Sequence, residues 1–335
     1  MTTRYTTLLG PAADALHAAL ALVAPGRPLR DGLDRVVRAK MGALVVIGDG
    51  PDVLAICSGG FLLDSPYSPQ RMSELAKMDG AIILSVDCTR IARANVHLVP
   101  DPTVPTSETG TRHRTAERVA RSLKVPVISA SEEMGVISVY AGGAKHQLQD
   151  ISRLLDRANQ ALQTLERYRA RLDDTLSALT ANELEDVATV RDVAAVVQRG
   201  DMVHRIATEL ETMIVELGVD ARLLRLQLDE VYGEIDDEIE LVAADYPTIT
   251  GNYVGSGLDA DDSASPQGLR LLARVGRVTP NLAMAVVERF GELAKLQRAT
   301  VDEIAAVAGV DHDLAESIKD TLDRLTETSI LDQYS

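Results

Sequence analysis

Along the first 144 residues, short apolar runs of strand length alternate with amphipathic stretches of helical period. Ala43–Asp49 and Val53–Ser58 flank Gly48, Asp49, Gly50 and Pro51, and turn residues between two β-rich runs predict a hairpin. Further strands are expected at Ala81–Asp87, Ala94–Val99, Val125–Ala130 and Val136–Tyr140. Helical patterns fall at Ala12–Val23, Pro69–Met78 and Arg114–Leu123. This mixture predicts an α/β domain built on one mixed sheet.

From His146 the period changes. Ile151, Leu155, Ala158, Leu162, Leu165, Leu172, Leu176 and Leu179 recur at alternating steps of four and three, with Arg169 in the one slot that breaks the series. That is the seam of a long helix, able to pack within its own chain or against another copy. Thr180 and Glu183 have the spacing of a capping box and predict the start of a second helix. Helical runs continue to about Tyr246. The stretch Thr248–Gln267, rich in Gly, Ser, Asp and Pro, reads as a flexible linker. The predicted architecture is therefore multidomain, α/β followed by all-α. Its expected boundaries are 1–144 for the mixed-sheet domain, 145–247 for a helical spine, 248–269 for the linker and 270–335 for a small helical tail.

Charge changes this picture only when counted by segment. The whole chain carries 34 basic and 50 acidic side chains, a net charge of −16, which is unfavourable for a nucleic-acid binder. Residues 145–245 hold 22 of the acidic groups against 11 basic ones, so the acidity belongs to the spine. Residues 270–298 carry six basic and two acidic groups, and residues 299–335 carry two and nine. Cys57 and Cys88 lack CxxC spacing and read as reduced, buried thiols, which implies a cytoplasmic location. No apolar run approaches the roughly 20 residues of a membrane span, and the first ten residues lack the pattern of a secretory signal.

Two short stretches carry candidate chemistry. Met78-Asp79-Gly80-Ala81 joins a helix to an apolar strand. A carboxylate there could hold a metal or a ribose hydroxyl beside a glycine that admits a ligand; an ordinary turn is the alternative. Ser107-Glu108-Thr109-Gly110-Thr111-Arg112-His113-Arg114-Thr115 leads into a helix. Free N–H groups, hydroxyls and two guanidiniums make an anion site at a helix N-terminus, unless the basic residues are simply solvated. A loose dinucleotide fingerprint at Gly255-Ser256-Gly257-Leu258-Asp259-Ala260 has no strand before it and reads as chance. The phosphate-loop pattern GxxxxGK[ST] is missing, and no carboxylate cluster has the spacing of a nuclease.

These stretches, together with Ala94-Asn95-Val96-His97-Leu98-Val99-Pro100-Asp101-Pro102, resemble the diadenylate cyclase family, and Leu75–Ala81 and Thr106–Thr115 resemble it in its DisA type. The resemblance spans the chain: cyclase domain, helical spine and a tandem helix-hairpin-helix tail at 272–324. It implies condensation of two ATP molecules into cyclic di-AMP with Mg²⁺ or Mn²⁺, by face-to-face cyclase domains in an octamer, and contact of the tail with branched or damaged DNA. Asp79, Arg112, His113 and Arg114 would be catalytic, with Asp79 and His113 at the metal. Gly80, Leu98, Thr111, Arg112, His113, Arg114, Thr115 and Ser131 would bind nucleotide.

In the tail, Val275-Gly276-Arg277-Val278-Thr279-Pro280 and Val307-Ala308-Gly309-Val310-Asp311 each precede an apolar helix. The hairpin pattern, hydrophobic-x-Gly-hydrophobic-Gly, is broken by Asp311, which is expected to weaken DNA contact by charge and by strain at a glycine position. Arg274, Arg277, Lys295 and Arg298 are the candidate DNA contacts. A protein-contact module is the alternative for the tail, and a non-catalytic ATP-sensing DNA-binding scaffold is the alternative for the whole.

Overall fold

The structure is a computed structural model that describes residues 11–250 and 259–333. Two units hold together internally: residues up to 161 with 208–226, and 162–207 with 227–335.

The first unit opens with α1 (Pro11–Leu22) and α2 (Pro28–Arg38), then β1 (Ala43–Ile47), α3 (Pro51–Ala55), β2 (Cys57–Ser58), β3 (Phe61–Pro66) and α4 (Pro69–Leu75). It continues with β4 (Ala81–Leu84), β5 (Arg90–Leu98), α5 (Thr111–Leu123), β6 (Val127–Ala130), β7 (Ile137–Ala141) and β8 (Ala144–Gln147). The strands form one mixed sheet in the order β2-β5-β4-β1-β6-β7-β8, with β3 also on β5; only the β1–β4 pair is parallel. All five residues of β1 are buried, because helices cover both faces and each face needs an apolar surface. Leu20, Leu33 and Met72 from α1, α2 and α4 pack on one side. Val53, Ala116, Val119 and Ala120 from α3 and α5 pack on the other.

The hairpin expected around Gly48–Pro51 does not form. Gly50 is instead the N-cap of α3 and Pro51 its first residue, where a fixed φ and a missing N–H suit a helix start. The returning chain pairs with β5, not β1. Cys57 and Cys88 are free and only partly buried, and Cys88 sits in a turn with φ of 58° rather than in a strand. The sheet also runs past residue 144: β8 pairs with β7 and is tied to the chain near 216 by a 2.7 Å contact from His146 Nε2 to Glu216.

The helical region consists of α6 (Ile151–Leu184), α7 (Val190–Leu217), α8 (Arg222–Tyr232), α9 (Ile235–Asp245) and α10 (Pro247–Thr250). In α6, Ala158, Leu162, Leu165, Leu172, Leu176 and Leu179 are buried as the seam predicts, while at its start Leu154 is buried in place of Ile151 and Leu155. The capping box at Thr180 and Glu183 is overturned, since both lie inside α6. Thr180 returns its hydroxyl to the Leu176 carbonyl, and Glu183 meets Tyr246 and Arg270. The next helix is capped further on, where Asp192 accepts from both the N–H and the hydroxyl of Thr189.

The tail comprises α11 (Leu269–Ala273), α12 (Pro280–Phe290), α13 (Leu293–Arg298), α14 (Val301–Ala305) and α15 (His312–Gln333) around their own apolar core. Of the stretch read as a flexible linker, residues 260–264 are hydrogen-bonded to Ala188–Arg191. Residues 255–258 of the dinucleotide-like pattern lie outside the described residues.

Candidate functional site

Three chain segments meet at the N-terminal end of β1 and β4. The parallel pairing of Val45 with Ile82, carried back along both strands, sets Gly42 beside Asp79. Asp79 ends the turn after α4, and its carboxylate is fully exposed, at 102%. At its neighbour Gly80 the missing side chain leaves room for the next strand. A Cβ there would collide with the backbone of Asn95. The cause is a bulge: between the Ala81–Val96 and Ile83–Arg93 pairs, β5 has one residue more than β4, and Asn95 takes φ of 54°. Gly60 receives the same bulge from β3's side, with Ala94 O 2.6 Å from where its Cβ would be.

The third segment is the first turn of α5. Gly110 is its N-cap and offers no side chain to the helix, so the leading N–H groups and the positive end of the helix dipole stay available to an anion. Arg112 lies across Gly42, with Nη2 3.6 Å from Asp79 Oδ1. Arg114 is exposed, and among the described residues no carboxylate pairs with it. Thr111 is exposed, and Thr115 donates its hydroxyl to the Thr111 carbonyl at 2.9 Å.

His113 faces inward. Its Nδ1 is 2.8 Å from the Tyr140 hydroxyl on β7, and that hydroxyl donates to Glu108 Oε1 at 3.2 Å. Lys145 Nζ closes the chain 2.7 Å from Glu108. Burial lowers the His113 pKa, as do the charges of Lys145 and Arg112, while Glu108 raises it. The loop before α5 is clamped as well: Glu117 accepts from the Thr106 hydroxyl at 2.5 Å and the Ser107 N–H at 3.0 Å, and Arg118 and Arg121 donate to the carbonyls of Val104 and Pro105.

The structure thus brings Asp79 to Arg112 and aligns Thr111, Arg112, His113, Arg114 and Thr115 on one helix start. It does not bring the side chains of Leu98 and Ser131 there. Leu98 is in the core beneath α5, and the Ser131 hydroxyl accepts from the Met134 N–H within a turn after β6. Gly42, Tyr140, Lys145 and Glu117 were not singled out in the sequence, and Glu108 stood there only within the stretch before the helix. A tyrosine ending an apolar strand, in a chain with only 3% aromatics, is the signal that could have found one of them.

Among the described residues no group of three or more His, Cys, Asp or Glu could hold a metal ion. One exposed carboxylate still fits Mg²⁺ or Mn²⁺ arriving with a nucleotide, since Mg²⁺ takes one or two carboxylates plus phosphate oxygens.

In the tail the two hairpins superimpose in their bonding. Val278 N bonds Val275 O and Val310 N bonds Val307 O; Ala283 N bonds Thr279 O and Ala315 N bonds Asp311 O. Thr279 and Asp311 are therefore equivalent N-caps, Asp311 accepting from Leu314 N at 2.8 Å. The left-handed residues are Arg277, with φ of 70°, and Gly309, with φ of 90°. Asp311 is not among them, so the strain expected there is absent. Its carboxylate instead pairs with Arg277 at 2.9 Å. Arg274 lies 3.8 Å from Glu238 and Lys295 lies 3.3 Å from Glu292. Of the four expected DNA contacts, only Arg298 has no carboxylate partner among the described residues.

A mixed-sheet domain with an open anion site at a helix start, a helical region and paired hairpins define a multidomain nucleotide-binding protein with a helix-hairpin-helix tail. Residues 30–145 match the family of the DisA bacterial checkpoint controller nucleotide-binding domain, 148–263 the DisA bacterial checkpoint controller linker region, and 269–324 the SAM-like helix-hairpin-helix tandem. The chain is 46% identical to the DNA integrity scanning protein DisA of Streptomyces coelicolor, over 95% of this chain and 94% of that one. It is 47% identical to that of Frankia alni, over 97% and 99%, and 46% identical to that of Acidothermus cellulolyticus, over 96% and 96%. The chain belongs to the DisA family, within the diadenylate cyclases. Among the described residues no helix is long and apolar enough to cross a membrane.

Proposed function

We propose that this chain is an active diadenylate cyclase, joining two ATP molecules into cyclic di-AMP. The observation that carries the reading is the Asp79 carboxylate beside the Arg112 guanidinium, at a helix start whose N–H groups have no side-chain cap. In each of two steps a ribose 3′-hydroxyl attacks the α-phosphate of the opposing nucleotide, a new P–O bond forms, and the bond to pyrophosphate breaks. Arg112 and Arg114, with the N–H groups of α5 and the hydroxyl of Thr111, hold the triphosphate by charge-assisted bonds, and Thr115 joins them once its hydroxyl turns from the Thr111 carbonyl. Asp79 orients the attacking hydroxyl. Catalysis of this kind rests on positioning and charge neutralisation.

Asp79, with His113 as a second donor, would hold Mg²⁺ or Mn²⁺, which supplies positive charge against the triphosphate. The backbone near Gly80 and Leu98 serves the adenosine, and Ser131 contributes through the turn that it holds. Asp79, Thr111 and Arg114 are exposed, which supports a second domain facing them, because the product needs two nucleotides opposed. We assign such pairs to an octamer in the cytoplasm.

The tail contacts DNA through phosphates rather than bases, led by Arg298, with Arg274, Arg277 and Lys295 available once their carboxylate partners give way. DNA bound there lowers cyclase activity. The test is incubation of the full chain with ATP and either metal, followed by separation of products. Cyclic di-AMP with two pyrophosphates per product is expected. ATP binding without product would leave a nucleotide-sensing scaffold instead.

A further inference from the structure

The row Lys145, Glu108, Tyr140 and His113 fixes more than the place of a ring. The Lys145 ammonium, 2.7 Å from Glu108, favours the ionised carboxylate, which can only accept. The Tyr140 hydroxyl lies between Glu108 and His113 Nδ1 and has one proton to give. Given to Nδ1, it would leave two oxygens facing each other with no hydrogen between them. Given to Glu108, it lets the phenol oxygen accept from Nδ1–H, and every heavy atom in the row is satisfied. The proton positions follow from the heavy-atom network.

We propose that Glu108, acting through Tyr140, is a positioning residue that holds His113 in its Nδ1–H tautomer and so leaves Nε2 as a bare acceptor at the start of α5. The Cδ2 edge of the ring, next to Nε2, lies 3.7 Å from where a Cβ on Gly110 would stand, so this lone pair sits by the uncapped end of the helix. A bare imidazole nitrogen repels phosphate oxygens and attracts a metal cation or a hydroxyl proton. The run Arg112-His113-Arg114 is thereby divided: the guanidiniums take phosphate, and His113 takes a donor.

This division rests on the cyclase reading, but the tautomer does not, and the experiment separates them. The full chain is labelled with ¹⁵N-histidine, and His113 is identified among the six histidines by its loss in His113→Gln. Nitrogen shifts above neutral pH should show Nδ1 protonated and Nε2 bare. Glu108→Ala keeps the Tyr140 hydroxyl yet removes the acceptor of its proton. The phenol then donates to Nδ1, and the ring proton moves to Nε2. Tyr140→Phe, which keeps the core filled, should instead leave a mixture of tautomers. In turnover, Glu108→Ala should lower kcat by about tenfold, the usual cost of losing an outer orienting partner, with little change in KM for ATP. An Nε2–H imidazole in the parent, an unmoved proton in Glu108→Ala, or unchanged kcat in that variant would each overturn the proposal. A parent chain that makes no cyclic di-AMP would overturn the cyclase reading alone, and the nitrogen shifts would still decide the tautomer.

Discussion

The Arg112 guanidinium occupies the space that a side chain on Gly42 would need. Glycine is used there to seat an arginine, and the backbone of Gly42 is not left-handed. Gly42→Ala should therefore fold normally and bind ATP poorly. Losing a charge-assisted contact corresponds to a rise in KM of about tenfold or more. Adding Arg112→Ala should cost little further, because both changes remove one interaction. Additive effects in the double variant would show that Gly42 acts on something else.

Asp79→Asn tests the carboxylate itself. Asp79 is fully exposed and, among the described residues, is paired with Arg112 alone, so stability should stay within about 0.5 kcal/mol of the parent. Turnover should fall by about a hundredfold or more, the range for a group that handles a reacting hydroxyl. Thermal unfolding and product formation, measured on one preparation, separate the two.

The Asp311 carboxylate has two duties, capping α15 and pairing with Arg277. Asp311→Asn keeps the cap and removes the charge, whereas Asp311→Ala also loses the cap and should lower the melting temperature. Both variants should bind branched duplex more tightly. If the released Arg277 meets a phosphate, the slope of log affinity against log salt should steepen by about 0.9. DNA should then inhibit the cyclase at lower concentration. Equal affinity and slope in the parent and both variants would move the DNA off this face.

Glu117 makes the loop ahead of α5 sensitive to acid. Burial pushes its pKa up, but the Thr106 hydroxyl, the Ser107 N–H and the Arg121 charge outweigh this and hold it below the ordinary value of 4.5. A carboxyl with a depressed folded pKa stabilises the fold above its unfolded pKa, and the contribution is lost as pH falls through the folded one. Parent chain should thus lose stability below about pH 4.5 more steeply than Glu117→Gln. Parallel acid-unfolding curves would count against the clamp.

The sequence made legible the strands that bury a face, because alternation or a continuous apolar run records burial. It missed β3 and β8. Phe61 and Leu62 of β3 are exposed, Leu62 at 76%, and β8 reads Ala-Lys-His-Gln with no buried residue; such strands write no inward pattern. The seam of α6 was readable for the same reason as the inner strands. Thr180 and Glu183 were misread since their partners lie 90 and 87 residues away at Arg270, beyond any local rule. At the site, Arg112, His113 and Arg114 stood out as chemistry at a helix start. Gly42 and Tyr140 did not, because what they do depends on a sheet register and on a proton shared across strands.

Arg270 of α11 is 2% exposed and paired with Glu183, which is 1% exposed, while Asp245 accepts the N–H groups of Gly268, Leu269 and Arg270. Breaking such a pair by removing one member costs about 3–5 kcal/mol, because a charge is left buried alone. A chain cut off before the hairpins would therefore not be this protein minus a tail. It would carry two uncompensated carboxylates at the end of its spine, and any change in its cyclase rate would mix the absence of DNA contact with damage to the spine. The way to silence the hairpins is from their exposed side, residue by residue, with Arg270 left in place.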